Sequence, residues 1–358
     1  MTFKQLPLFS TEKFQANNYR FPSTRYQGSK RKLINWIWEN VSQLEFNTVL
    51  DVFGGTGVVS HKFKNEGKCV TYNDLLAFNY NIGLALIENN NQTISDNEVE
   101  LILKKHNAIN YPNFIQENFH DIYFTDDENI WLDQVIHNID DLLPNNYQQA
   151  LAKFALFQAS IIKRPYNLFH RANLYMRTSK VKRSFGNKTT WDTPFETHFR
   201  NFITEANQAV FDNGQQNEAI QCDALNTPTG FDLVYLDPPY LNQKGVGVDY
   251  RDFYHFLEGI MNYDTWSEKI DYKSKHRRLK PQKSPWASAS KIRDVFEQLI
   301  ARHKDSILVT SYRDDGIPTK QDLMEILSNY KTHIYEATLP IKYVLSHKKS
   351  RELLLIAQ

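Results

Sequence analysis

The sequence predicts an α/β fold built on an open sheet, and three stretches carry that expectation. Residues Phe231 to Leu236 form an apolar, β-leaning run that stops at Asp237-Pro238-Pro239-Tyr240. Thr48 to Val59 reads as strand, glycine loop and helix, and Cys69 to Asp74 reads as a second short strand ending in an acid. In open α/β sheets ligands bind outside the carboxyl ends of the strands, so these acids and glycines mark one crevice.

A chain of 358 residues has room for one large domain or two ordinary ones, with ample apolar content for a core. Its two cysteines, Cys69 and Cys222, are far apart and lack any CxxC or His pairing, which indicates neither a disulfide framework nor a zinc site; no metal is expected. The amino terminus has no basic segment followed by an apolar core, and no apolar run approaches the roughly 20 residues that cross a bilayer. A soluble, cytoplasmic protein with no membrane partner is therefore expected. The net charge of +1 conceals a segregation. Glu88 to Asp141 holds 12 acids and two bases, Lys163 to Lys188 holds eight Lys/Arg and no acid, and Lys273 to Arg293 repeats that balance. Local potential, not the sum, decides what docks.

Taken in order, residues 1–24 are polar and irregular and read as a lead-in. Arg25 to Lys30 then sets Gly28 and Ser29 before Leu33, Ile34, Ile37 and Val41 at helical spacing, a loop feeding a helix amino terminus. In Asp51-Val52-Phe53-Gly54-Gly55-Thr56-Gly57 the glycines permit positive φ and close approach of a ligand, and the helix beyond opens with free N–H groups. Asp74 stands about 20 residues further on, where nucleotide-type folds place the acid that takes ribose hydroxyls. The turn lacks GxGxxG, which argues against a nicotinamide cofactor.

Leu151, Phe154, Ala155, Phe157, Ile161 and Ile162 predict a buried helix. Beyond it the basic run is interleaved with Tyr175, Phe185 and Trp191 and broken by Gly186-Asn187, a pattern suited to phosphates and grooves. At Pro238-Pro239 the ladder cannot continue, and because proline lacks an N–H the carbonyls there are oriented acceptors beside the Asp237 carboxylate. Such a pair is a receptor for an NH2 group, and Tyr240 adds a face on which a base can stack. Gly245 to Phe256 reads as an aromatic flap over that receptor, Tyr272 to Arg293 as a basic surface loop, and Tyr335 to Leu339 with Glu352 to Ala357 as two strands joined by the basic segment Ser346 to Arg351.

Together these residues resemble the S-adenosylmethionine-dependent DNA methyltransferases that modify the amino nitrogen of adenine, specifically the Dam-like group. Tyr26 to Lys30 is similar to that family's amino-terminal cofactor motif, Asp51 to Gly57 to its glycine-rich motif, and Asn73-Asp74 to its ribose acid. Ile220 to Leu225 is similar to its strand and acid near the cofactor adenine, Asp237 to Tyr240 to its catalytic motif, and Ser306 to Tyr312 to a later strand. The motif order is similar to the family's α arrangement. The resemblance implies a Rossmann-like methyltransferase sheet with a C-terminal β-hairpin, in a catalytic domain of residues 1–85 and 215–358, and an inserted, mainly helical target-recognition domain at 86–214.

It also implies roles. S-adenosylmethionine would be bound by Tyr26, Lys30, Asp51, Phe53, Gly54, Gly55, Gly57, Asp74, Asp223 and Asp237, with Lys30 on the methionine carboxylate, Asp74 on the ribose and Asp223 on the cofactor adenine. Asp237, Pro238, Pro239 and Tyr240 would carry catalysis on a base flipped out of double-stranded DNA. Lys163, Arg164, Arg171, Arg177, Lys180, Lys182, Arg183 and Lys188 would contact DNA. The expected setting is a restriction-modification system in which a monomer works beside a separately acting cognate endonuclease. The same core also serves methylation of the amino nitrogen of cytosine and of glutamine in translation factors, and a non-catalytic DNA-binding module on a methylase core is a further alternative.

Overall fold

The computed structural model describes residues 20–180, 188–341 and 350–358, and the nine strands named below are counted among these. Its centre is a seven-stranded sheet in the order β3-β2-β1-β4-β6-β9-β8. The strands are β1 Thr48–Asp51, β2 Cys69–Asn73, β3 Glu218–Ile220, β4 Leu233–Leu236, β6 Ile307–Arg313, β8 Ile334–Ile341 and β9 Ser350–Ala357. Five of them run parallel, from β3 through β6, while β9 and β8 pair antiparallel as the expected hairpin. A separate two-stranded ribbon joins β5 Leu241–Asn242 to β7 Gly316–Ile317, which clamps the chain just beyond the Pro-Pro turn.

The near-continuous apolar strands follow from burial on both faces. Along β4, Leu233 and Tyr235 enter one core while Val234 and Leu236 enter the other; Val49 and Leu50 of β1, and Leu354 and Leu355 of β9, divide in the same way. One face is covered by helices Ile292–Arg302 and Lys320–Ser328 through Phe296, Leu299, Leu323 and Ile326. The other is covered by helices Ile34–Val41, Val58–Asn65 and Ala77–Gly83.

The helices of residues 86–214 continue that second core. Asn146–Ile162 buries Leu151, Phe154, Ala155, Phe157 and Ile161, as the spacing predicts, and packs beside Phe195–Ala209. Phe157 meets Phe78 edge to face at 6.2 Å, and Asn81 Nδ2 donates to the Ala150 carbonyl at 2.9 Å. Sheet and inserted helices thus share one hydrophobic cluster. Among the described residues no helix is long and apolar enough to cross a membrane.

Candidate active site

The sheet order reverses direction between β1 and β4, with β2 and β3 on one side and β6 on the other. At such a switch point the loops after adjacent strands diverge and leave a crevice. Here it has a volume of about 270 Å³, and it is lined by every residue to which a cofactor role was assigned except Gly57, together with all four of Asp237, Pro238, Pro239 and Tyr240.

Gly55 and Gly57 hold φ of 51° and 75°, the left-handed region in which a side chain would be strained. Gly54 is required for a different reason: a Cβ there would come within 2.0 Å of the buried Tyr72 ring. This close packing draws the turn down onto β2, where Gly55 N donates to Asp74 Oδ2 at 3.0 Å and Gly54 N to the Asn73 carbonyl at 2.8 Å. Leu76 N and Asn79 Nδ2 complete the grip on the Asp74 carboxylate. Three residues beyond β3, Asp223 accepts from Leu225 N at 2.9 Å, and Asn73 bonds both Val52 and Cys222 carbonyls, tying together the segments that follow the three strands.

Burial pushes the Asp51 carboxyl up to about 7, even though Ser60 donates to it at 2.6 Å. Burial likewise raises Asp74. A sulfonium cofactor with a ribose and a purine needs acceptors, carboxylates and apolar walls, and the crevice supplies each. Asp51 Oδ1 and Asn79 Oδ1 are buried acceptors without a hydrogen-bond partner among the described residues, Leu75 is exposed beside Asp74, and Phe53 meets Trp286 edge to face at 5.0 Å.

At the other end lies a compact polar cluster. Lys30 Nζ sits 3.1 Å from Asp237 Oδ1 and also bonds Tyr240 OH and Glu352 Oε1. Tyr240 OH donates to Asp237 Oδ1 at 2.7 Å, while its ring stands edge-on to Tyr312 at 5.2 Å. Burial lifts the Asp237 carboxyl to about 6, with the Lys30 attraction opposing and the Glu352 repulsion adding to it. The Lys30 ammonium is therefore engaged by three side chains of this chain, so a methionine carboxylate is not its sole partner. In the sequence Glu352 reads only as part of a strand; an acid heading the run Glu352-Leu353-Leu354-Leu355-Ile356-Ala357 is the signal that could have marked it.

The expected flap is also revised. Residues 250–261 form the helices Tyr250–Phe253 and His255–Met261, with Tyr254 and Phe256 buried. Tyr26 stacks on Tyr254 at 4.5 Å and on Tyr250 at 5.5 Å, and Gln27 N donates to Tyr254 OH. These aromatics brace the amino-terminal motif against the segment after the catalytic turn.

Of the residues expected at DNA, Lys163, Arg164 and Arg177 need correction. They are 2%, 1% and 7% exposed. Lys163 and Arg177 share Glu128 Oε1 at 2.9 and 2.6 Å, and Arg164 donates to the Tyr123 and Arg171 carbonyls at 3.0 Å each. One acid of the acidic run, Glu128, thus neutralises two cations of the basic run, and Arg164 is held by backbone carbonyls and Asn173 instead, because a buried cation requires partners. Arg171, Lys180 and Lys188 are exposed, Lys188 beside Asp192 at 3.0 Å; Lys182 and Arg183 lie outside the described residues. Among the described residues no cluster of His, Cys, Asp and Glu is arranged to hold a metal.

A parallel sheet that presents carboxylates and glycine turns at its switch point, beside a receptor for an amino group, defines an enzyme that binds a nucleoside cofactor next to an amine substrate. Residues 26–326 match the D12 class N6 adenine-specific DNA methyltransferase model, and the chain belongs to that family. It is 29% identical over 351 residues to the Type II methyltransferase M2.HphI of Haemophilus parahaemolyticus, spanning 94% of this chain and 96% of that protein. It is 25% identical over 317 residues to the Type II methyltransferase M.NlaIII of Neisseria lactamica, 85% of this chain and 88% of that one. The Modification methylase StsI of Streptococcus sanguinis is 26% identical over 329 residues, 86% of this chain and 46% of its own length. The chain is thus an adenine-specific DNA methyltransferase that uses S-adenosylmethionine.

Proposed function

We propose that this methyltransferase is the modification enzyme of a restriction-modification system, acting as a cytoplasmic monomer on double-stranded DNA apart from its cognate endonuclease. The observation that carries the reading is the anchored Asp237 at the strand tip. Its Oδ1 is taken by Tyr240 and Lys30, which leaves Oδ2 and the Pro238 carbonyl to accept the two N–H hydrogens of an extruded adenine. That amine is a poor nucleophile because its lone pair is shared with the ring; two fixed acceptors favour the geometry that frees it. When bound, the cofactor supplies a methyl on a sulfonium, and sulfur keeps the bonding electrons as the methyl leaves. Asp74 would orient the ribose, Asp223 the purine amine, Tyr26 and the Phe53 to Gly57 turn the remainder, and Asp51 would face the positive charge. Asp237 would then accept the proton that the nitrogen sheds, since the amine enters with two hydrogens and leaves with one. Tyr240 would border the base.

Target recognition would fall to residues 86–214, while the phosphate backbone would run along the second basic stretch. What supports that division is charge availability. Lys244, Lys273, Lys275, Lys280, Lys283 and Lys291 are exposed and, among the described residues, form no ion pair. Lys283 also lines the crevice, and Arg251 Nη1 donates to the Lys280 carbonyl at 2.7 Å, which ties this strip to the segment after the catalytic turn. Unpaired cations gain most from phosphates, whereas Arg177 would have to surrender Glu128 first.

The test is mass spectrometry of nucleosides from duplex DNA incubated with the protein and methyl-labelled cofactor. Label in N6-methyladenine, abolished by Asp237→Asn, is expected; label in cytosine, in protein or nowhere overturns the reading.

A further inference from the structure

We infer that Glu352, on the terminal antiparallel strand, is a positioning residue for methyl transfer whose negative charge keeps Asp237 a strong acceptor. The inference rests on the functional reading above and extends it to a side chain that lies outside every motif in the sequence. Glu352 is fully buried, yet it is the third residue of a strand whose next five residues are apolar. A lone carboxylate in such a place is costly unless it is neutralised. Its Oε1 receives the Lys30 ammonium and the Ser311 hydroxyl, the latter at 2.9 Å, while Oε2 has no hydrogen-bond partner among the described residues.

A second feature makes the arrangement more than a packed ion pair. One ammonium is shared between two carboxylates, Glu352 on one side and Asp237 at 3.1 Å on the other. With Lys30 charged and both acids ionised the trio carries one excess negative charge in an interior setting. If Asp237 were the only partner, Lys30 would withdraw its electron density and weaken it as a hydrogen-bond acceptor. Glu352 divides that attraction and adds repulsion, so Asp237 remains anchored without being quenched. The titratable or charged groups facing Asp237 are Lys30 from the amino-terminal turn, Tyr240 from its own loop, Tyr235 of β4, Asp51 of β1 and Glu352 of β9. Burial holds Asp237 up at about 6, and Glu352 contributes in the same direction. No covalent step passes through Glu352. The proton released by the amine goes to Asp237, and uptake of that one proton removes the excess charge of the trio.

The test is the pH dependence of single-turnover methylation of a duplex, measured for wild type, Glu352→Gln and Glu352→Asp, with initial rates giving kcat and the KM for DNA and cofactor. For wild type an acid limb near pH 6 is expected, because only ionised Asp237 accepts. Glu352→Gln keeps the shape and the Lys30 contact but removes the charge; its acid limb is expected to move down by roughly half to one pH unit. Its kcat should drop about 3- to 10-fold, with both KM values within about twofold of wild type. Glu352→Asp retains the charge and should keep the limb near the wild-type position. A limb that Glu352→Gln leaves in place overturns the inference, as does a raised cofactor KM at unchanged kcat, which would make Glu352 a mere holder of Lys30. If thermal melting shows that Glu352→Gln does not fold, Glu352→Asp decides: a wild-type limb supports the charge effect and a displaced limb refutes it. Wild-type protein that methylates no adenine would instead refute the functional reading itself, a different outcome from active enzyme with an unmoved limb.

Discussion

Arg177 separates a cation that holds the fold from one that holds DNA. Its guanidinium lies 2.6 Å from Glu128 Oε1, donates to the Tyr123 carbonyl at 3.1 Å and is 7% exposed. Burial pushes the Glu128 carboxyl up, but Arg177 and Lys163 outweigh it and hold the acid below its ordinary range. Arg177→Met keeps the apolar stem and removes the charge. Breaking a buried pair costs about 3–5 kcal/mol. Since Lys163 still neutralises Glu128 from 2.9 Å, the lower end, about 3 kcal/mol, is expected. Unfolding entropy of about 2.1 cal/mol/K per residue amounts to roughly 0.75 kcal/mol/K over this chain, so the melting temperature should fall by about 4 °C. The paired assay is duplex affinity between about 50 and 200 mM salt, where the slope of log K against log salt should match wild type. A variant that melts like wild type while its slope flattens by about 0.9 would make Arg177 a phosphate contact and refute the argument from burial.

Two further outcomes follow from the same electrostatics. Replacing Lys273, Lys275 and Lys280 together by Ala should leave the melting temperature unchanged and flatten the salt slope by up to about 2.7, or about 0.9 for each phosphate no longer neutralised; an unchanged slope would remove this strip from the DNA interface. For Asp51 the sign runs against stability: its folded value of about 7 lies above the unfolded value of about 3.9, so destabilisation grows as pH rises between them and is complete above. Asp51→Asn should therefore raise the melting temperature at pH 8 and change it little at pH 4, and equal gains at both pH values would refute the assignment. The increase at pH 8 should be on the order of 2–4 kcal/mol in unfolding free energy, accompanied by weaker cofactor binding.

Much of the cofactor crevice was legible in the chain because it is built from short-range rules. A strand that meets Pro238-Pro239 must stop, glycines at 55 and 57 can take the positive φ that a tight turn demands, and a βα turn followed by an acid about 20 residues on places both at one sheet edge. Gly54 shows where this reasoning was incomplete: its necessity comes from the Tyr72 ring on the neighbouring strand rather than from a ligand. The aromatic flap was misread for a related cause. Tyr250 and Tyr254 found a partner in Tyr26, more than 220 residues earlier, and no local pattern encodes that meeting.

Charge is where sequence and structure part most clearly. The acidic and basic runs were visible in the sequence, as were the Asp-Pro-Pro-Tyr turn, the glycine loop and the sheet that carries them, because each depends on residues within a few positions of one another. Which cations stay available, and which acids share Lys30, depended on pairs 49 and 322 residues apart, Glu128 with Arg177 and Glu352 with Lys30. The interior tolerates a charge only beside an opposite charge or fixed hydrogen-bond partners, and the closing of the chain decides who those neighbours are.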